Sequence, residues 1–95
     1  MIKVIFRKTK DSGKLVAIFP EMALGNSPKK CLTMSQDLSS EDKIYDRMMW
    51  ETKPAKPKEY RSLFKWLKIR HCGNIVIVQK ASEMMHEERK RSCTK

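Results

Sequence analysis

Pro57-Lys58-Glu59-Tyr60-Arg61-Ser62-Leu63-Phe64-Lys65-Trp66-Leu67-Lys68-Ile69-Arg70 is the stretch that decides the fold. Tyr60, Leu63, Phe64 and Leu67 fall at i, i+3, i+4 and i+7, the spacing of one helical face. Lys58, Arg61, Lys65 and Lys68 fall at i, i+3, i+7 and i+10 and make a basic stripe beside it. The segment predicts a helix that seats one side on a core and shows positive charge on the other. Pro57 suits the first helical position, where its missing N–H is not needed. Basic residues near Arg70 favour the C-terminal end of the helix dipole, and Gly73 is a candidate cap.

Such a helix needs a sheet to sit on, and the segments on either side supply one. Upstream, Ile2, Val4 and Phe6 alternate with Lys3, Ile5 and Arg7, which predicts a strand with one face buried and one wet. Asp11-Ser12-Gly13 is turn chemistry, and Leu15 to Phe19 reads as a second strand closed by Pro20. An antiparallel hairpin over residues 2–19 follows. Cys31 to Met34 is a candidate third strand. Downstream, Asn74 to Lys80 is the most apolar run of the chain, and its β-branched residues predict a short strand covered on both faces.

Residues 39–51 carry two patterns. Ser39-Ser40-Glu41-Asp42 offers a helix cap with acids in the first turn. Ile44, Tyr45, Met48 and Met49 fit a helix, whereas Ile44, Met48 and Trp50 fit alternation. The reading adopted is a short helical turn leading into a strand near residues 46–51. Thr52 to Pro57 is extended, because residues before proline avoid the helical region. From Ala81 onward the chain reads as a helix capped by Ser82, with Glu87 four residues before Arg91 and a basic end at Arg89-Lys90-Arg91.

The fold expected is a small α+β domain over residues 1–80. An antiparallel sheet of three or four strands carries one amphipathic helix across it, and residues 81–95 add a basic C-terminal helical tail. A chain of 95 residues fits one such domain. Charged residues make up 34% and hydrophobic residues 40%, which favours folding over disorder. Lys3, Arg7, Lys8 and Lys10 interrupt any apolar leader, and no stretch is apolar enough to span a membrane, so the cytoplasm of a bacterial host is the expected location. Three cysteines without a C-x-x-C pair fit a reducing compartment and not a disulfide framework.

Charge is the main functional signal. The formal net charge is +10, which calls for a polyanionic partner. Residues 1–20 carry +4, residues 21–50 carry −1 and residues 51–95 carry +7. Between Thr52 and Lys80 eight basic residues face one acid, Glu59. If the hairpin and the last strand share a sheet, these ends meet on one positive surface. Lys58, Arg61, Lys65, Lys68 and Arg70 are then the expected main contact, with Arg89, Lys90 and Arg91 as an arm. The partner is nucleic acid, RNA before DNA, or a nucleic-acid-handling complex. Trp66, on the flank of the apolar face, is a candidate base-stacking group. Tyr45 and Trp50 are candidates too, although both are assigned to the core.

Catalytic and metal patterns are absent. His86-Glu87 resembles the start of H-E-x-x-H, but Lys90 stands where the second ligand belongs. Cys31, Cys72, Cys93, His71 and His86 show no zinc spacing. Neighbours such as His71 and Cys72 face apart, and a buried inert thiol is the expected state of Cys31. Three glycines leave no phosphate-cradling loop. The expectation is a binding protein without cofactor or metal, not an enzyme.

Ile2-Lys3-Val4-Ile5-Phe6-Arg7-Lys8, Leu15-Val16-Ala17-Ile18-Phe19-Pro20-Glu21, Thr52-Lys53-Pro54-Ala55 leading to Glu59-Tyr60, and Met85-His86-Glu87-Glu88-Arg89-Lys90 together span most of the chain. In these segments it resembles a family of small uncharacterised proteins of bacterial phages and mobile elements. Family members often follow a cysteine like Cys31 with Gly-Gln-His; Met34-Ser35-Gln36-Asp37 keeps the glutamine alone. The resemblance carries no activity and no functional residue. It implies a phage setting, in which small binders disable host defence. The expected function is inhibition of a host defence complex in the manner of an anti-CRISPR protein, by binding an RNA-guided effector or its nucleic acid. The alternative is a non-specific nucleic-acid-binding accessory protein.

Overall fold

The first strand organises the sheet. The computed structural model describes residues 2–23, 29–35, 39–70 and 73–93, with residues 92 and 93 described by backbone alone. In it β1 spans Ile2–Thr9 and pairs antiparallel with β2, Leu15–Phe19, setting Ile5 opposite Ile18 and Lys8 opposite Leu15. The Gly13 N–H donates to the Thr9 carbonyl at 2.9 Å, and Gly13 sits at φ +69°, a left-handed conformation that glycine adopts without a side-chain clash. The hairpin over residues 2–19 is as the sequence predicts.

Four further strands complete the sheet. β3, Lys30–Ser35, pairs antiparallel with β2, and β4, Ser40–Ile44, pairs antiparallel with β3. The second edge of β1 is shared. Arg7–Thr9 pair antiparallel with β5, Thr52–Pro54, while Ile2–Val4 pair parallel with β6, Ile75–Ile77. The sheet therefore has six strands in place of the three or four expected, and one of its pairings is parallel. The extra strands are short or polar and have little hydrophobic periodicity. They form because the open edges of β3 and β1 present backbone donors and acceptors that must be paired.

That edge pairing also overturns the helix cap expected at Ser39–Asp42. Ser40 to Ile44 lie in register against Met34 to Lys30, and tertiary pairing outweighs the local capping preference. The chain then turns helical where a strand was expected. α1 spans Tyr45–Glu51, and its buried residues are Tyr45 and Met48. β6 is less covered than expected, since Val76 is exposed at the sheet margin.

α2 spans Pro57–Arg70 with the predicted bounds, and α3 spans Glu83–Cys93. α2 packs on one face of the sheet, where Leu63 and Leu67 join Val4, Phe6, Leu15, Ala17, Phe19 and Ile75. The opposite face is covered too. There Ile5, Val16, Ile18 and Cys31 pack with Tyr45 and Met48 of α1. The expectation of a wet face on β1 is thereby corrected: Ile5 is buried and Arg7 half-buried. α3 lies on this second face, because the Tyr45 hydroxyl accepts from the Ala81 N–H at 2.8 Å and the Tyr45 ring meets His86 edge-on. Met85 and Arg89 of α3 are buried. The helices thus sandwich the sheet, with α2 alone on its side. Among the described residues, no helix is long and apolar enough to cross a membrane.

Candidate nucleic-acid interface

α2 is fixed at its start by one carboxylate. Glu59 Oε1 accepts the Lys56 N–H at 2.8 Å, and its Oε2 meets Lys8 Nζ at 2.6 Å. The Lys8 ammonium, then the Lys56 N–H, hold the Glu59 carboxyl below the usual carboxylate range. This contact ties an otherwise unpaired backbone donor at the helix start to β1. Further along, the Phe6 ring stacks on Tyr60 with centroids 4.4 Å apart and meets Phe64 edge-on at 5.9 Å. Leu67 is completely buried. Burial of such a leucine contributes about 1.5–3 kcal/mol, enough to set which side of α2 faces outward.

The outward side carries Lys58, Arg61, Lys65 and Lys68 within an arc of roughly 80°, with Arg70 at the helix end. All five are exposed, and none makes an ion pair among the described residues. Lys68 leans on the Phe64 ring at 5.4 Å and Arg70 on the Trp66 ring at 5.3 Å. Such contacts orient a cation without cancelling its charge. Trp66 is half-buried against the α2 core, and Ile69, 75% exposed, borders the stripe.

Six of the acids pair elsewhere. Glu21 meets Lys3, Glu41 meets Lys43, Glu51 meets Arg47, and Glu59 meets Lys8. Glu87 and Glu88 meet Lys90 and Arg91. Surface pairs of this kind add little stability, but they cancel local field. Four exposed cations without an ion pair among the described residues are therefore aligned on the outer side of α2, and Lys10, Lys29, Lys53, Lys56 and Lys80 lie outside that helix.

The expected union of the two ends of the chain holds for the backbone but not for the charges. β1 and β6 are neighbours, yet Lys3 and Lys8 are paired and Arg7 turns inward. The Arg7 guanidinium donates to Thr52 Oγ1 at 2.7 Å, to the Thr52 carbonyl at 2.8 Å and to the Met49 carbonyl at 3.3 Å, closing the end of α1. The proposed arm is also corrected. Arg89 is 3% exposed, and its Nη1 donates to the Pro20 carbonyl at 2.7 Å. It serves as a bolt between α3 and the chain after β2. Lys90 and Arg91 are exposed but lie across the sheet from α2. The structure brings Lys58, Arg61, Lys65 and Lys68 together, sets Trp66 and Arg70 on the far flank of the same helix, and leaves Arg89, Lys90 and Arg91 apart from them.

Of the aromatic residues assigned to the core, Tyr45 is buried and Trp50 is not. Trp50 is 77% exposed, with Lys10 Nζ 5.3 Å from its ring centroid. The helical reading of residues 45–51 contains the signal: Tyr45, Met48 and Met49 share a face, and Trp50 falls off it.

The nucleophile candidates are quiet. The Cys31 thiol is fully buried, and burial pushes it up to about 11, so it stays protonated. His86 Nδ1 lies 2.7 Å from Arg89 Nη2, which donates to it and fixes a neutral ring with its proton on Nε2. Burial, then the Arg89 charge, pull His86 below its ordinary value. His71, Cys72 and the Cys93 side chain lie outside the described residues. Among those described, no three His, Cys, Asp or Glu residues are grouped as a metal would require. The chain matches no family model, and no curated protein or solved structure matches it.

Proposed function

We propose that this chain is a phage-type inhibitor that binds a bacterial RNA-guided defence complex through the nucleic acid that the complex carries. One observation supports this above others: the five cations of α2 are exposed without an ion pair among the described residues, while Glu59, the single acid of the helix, is engaged by Lys8. A stripe of Lys and Arg on a rigid helix tracks phosphates and releases their counterions. The resemblance to small phage proteins supplies the setting, and the cytoplasm is where such a complex is met.

The outer side of α2 offers lysines, arginines and Ser62, with no Asn or Gln to read base edges. Contact by this face is read as following chiefly the backbone, since adenine-reading amides are absent and guanine edges are the base groups that Lys and Arg can meet. The same feature favours the second reading, an accessory protein that binds free nucleic acid without sequence preference. The two differ in what is captured. The inhibitor forms a stable complex with the loaded effector and lowers target cleavage; the accessory protein binds naked strands and leaves cleavage alone.

The test is a cleavage assay with a reconstituted RNA-guided effector, paired with a pull-down before and after nuclease treatment. Inhibition is expected with the native chain and lost when Lys58, Arg61, Lys65 and Lys68 are all replaced by Glu. Inhibition that survives the four replacements removes α2 as the contact. On free duplex, four phosphate contacts predict an affinity loss of roughly a hundredfold between about 50 and 200 mM salt.

A further inference from the structure

We propose that Trp50 is a stacking platform for an unpaired base, so that the nucleic acid bound by this protein is single-stranded where it leaves α2. The proposal rests on the reading of α2 as a nucleic-acid-binding face and specifies the partner of that face. Trp50 stands at the end of α1, 77% exposed. Thr9 and three charged residues, Lys10, Asp11 and Glu51, line the recess beside it. A tryptophan that anchors a protein interface sits in a well-packed pocket whose surrounding contacts exclude water, whereas Trp50 stands open to solvent. A flat ring among charges suits a base, whose π-face stacks while its phosphates stay in water.

The flanking charges favour a strand over a lone base. Lys10 holds its ammonium 5.3 Å from the ring centroid. Of the two acids at the rim, Glu51 is engaged by Arg47 at 2.8 Å, and Asp11 accepts from the Ser12 N–H at 2.7 Å. Beyond the ring, exposed Lys53 and Lys56 lead to Lys58 at the start of the α2 stripe, and neither makes an ion pair among the described residues. The connecting chain is not slack. Lys53 is in register with Lys8, and the Ala55 N–H donates to the Phe6 carbonyl at 3.3 Å. Lys8 faces Lys53 from the next strand, but Glu59 neutralises Lys8, which relieves a like-charge pair. From Lys53 to Lys58 the chain spans at most about 18 Å. Lys53 and Lys56 therefore stand on a short, pinned segment that joins α1 on one face of the sheet to α2 on the other.

The experiment compares binding of a short oligouridylate and of an RNA duplex of equal length at about 50 mM salt. The proteins are the native chain, Trp50→Ala, Trp50→Leu, Trp50→Phe and the α2 charge-reversal variant. Trp50 is exposed, so these substitutions leave the core intact. Trp50→Ala and Trp50→Leu are expected to weaken single-strand binding by about 5- to 150-fold, with duplex binding unchanged and Trp50→Phe restoring most of the loss. Native-level binding by Trp50→Leu, or equal weakening on duplex and single strand, overturns the stacking role. Single-strand binding lost in the α2 variant but untouched in Trp50→Ala overturns it and leaves the α2 reading standing. Absence of binding to either RNA by the native chain overturns both.

Discussion

α2 and α3 are both short helices with basic C-terminal ends, and they use that charge in opposite ways. α2 seats itself with apolar groups, Leu63 and Leu67, and leaves its cations outside. α3 seats itself with Met85 and the guanidinium of Arg89, and its outer cations meet Glu87 and Glu88 three residues earlier. The spacing of acids decides the difference. Within a helix, opposite charges three or four residues apart are neighbours. α3 places two acids at that distance from Lys90 and Arg91. The single acid of α2 stands in its first turn and is held by Lys8. The five Lys and Arg of α2 thus stay available, whereas of the three on α3 one is buried and two are met by acids.

The comparison is broken most forcefully at the buried residues. Leu67→Ala is expected to cost about 2–5 kcal/mol in urea denaturation, because it removes a completely buried side chain between α2 and the sheet. Arg89→Ala is expected to cost about 1–3 kcal/mol, since the Pro20 carbonyl loses its buried donor. The salt dependence of nucleic-acid binding, set by α2, should stay as in the native chain for Arg89→Ala. If Arg89→Ala leaves stability untouched and flattens the salt slope, Arg89 belongs to the binding face and the contrast between the helices fails.

The parts of this molecule that could be read from the sequence are those whose pattern is local. The hairpin announces itself by apolar residues on both sides of Gly13, and α2 by the phase of Tyr60, Leu63, Phe64 and Leu67. β4 and β5 have no such signature; Ser40 to Ile44 and Thr52 to Pro54 are strands because β3 and β1 have edges to fill. The cation stripe of α2 was legible because helical phase alone sets it. The fate of Arg89 was not, because a carbonyl sixty-nine residues away captures it. Trp50 departs from the expected burial because the helical phase of α1 turns its ring outward.

A smaller effect sharpens the account of α3. His86 accepts a hydrogen bond from Arg89, and its pKa lies below the ordinary value through burial first and the Arg89 charge second. Asp46 and Glu83 act in the opposite sense and only partly offset this. The Tyr45 ring, Lys29 and Lys90 complete its surroundings. A histidine whose folded pKa is lowered favours the folded state above its unfolded value of about 6.5 and loses that contribution as pH falls through it. Thermal unfolding at pH 7.5 and pH 5 should show this loss in the native chain and less of it in His86→Gln, which keeps an acceptor for Arg89 without a titrating ring. Equal acid losses in the two proteins would show that the Arg89–His86 contact contributes nothing to the docking of α3.

The smallest expected effect lies at the start of α2 and separates its anchoring from its charge. Glu59 is held below the usual carboxylate range by Lys8, then by the Lys56 N–H. Its contribution is therefore complete above the unfolded value near 4.3 and disappears as pH falls through the lower folded value. Glu59→Gln keeps an oxygen for the Lys56 N–H but abandons Lys8, which then adds an uncompensated cation beside Lys53. Two readouts are expected to move in opposite directions. Thermal stability at neutral pH should fall slightly, by less than for Arg89→Ala. Affinity for single-stranded RNA should rise, because one acid leaves the start of α2 and one lysine is freed beside it. If affinity falls together with stability, Glu59 acts on binding by holding the helix in place, and the local field matters less than the rigidity of the first turn of α2.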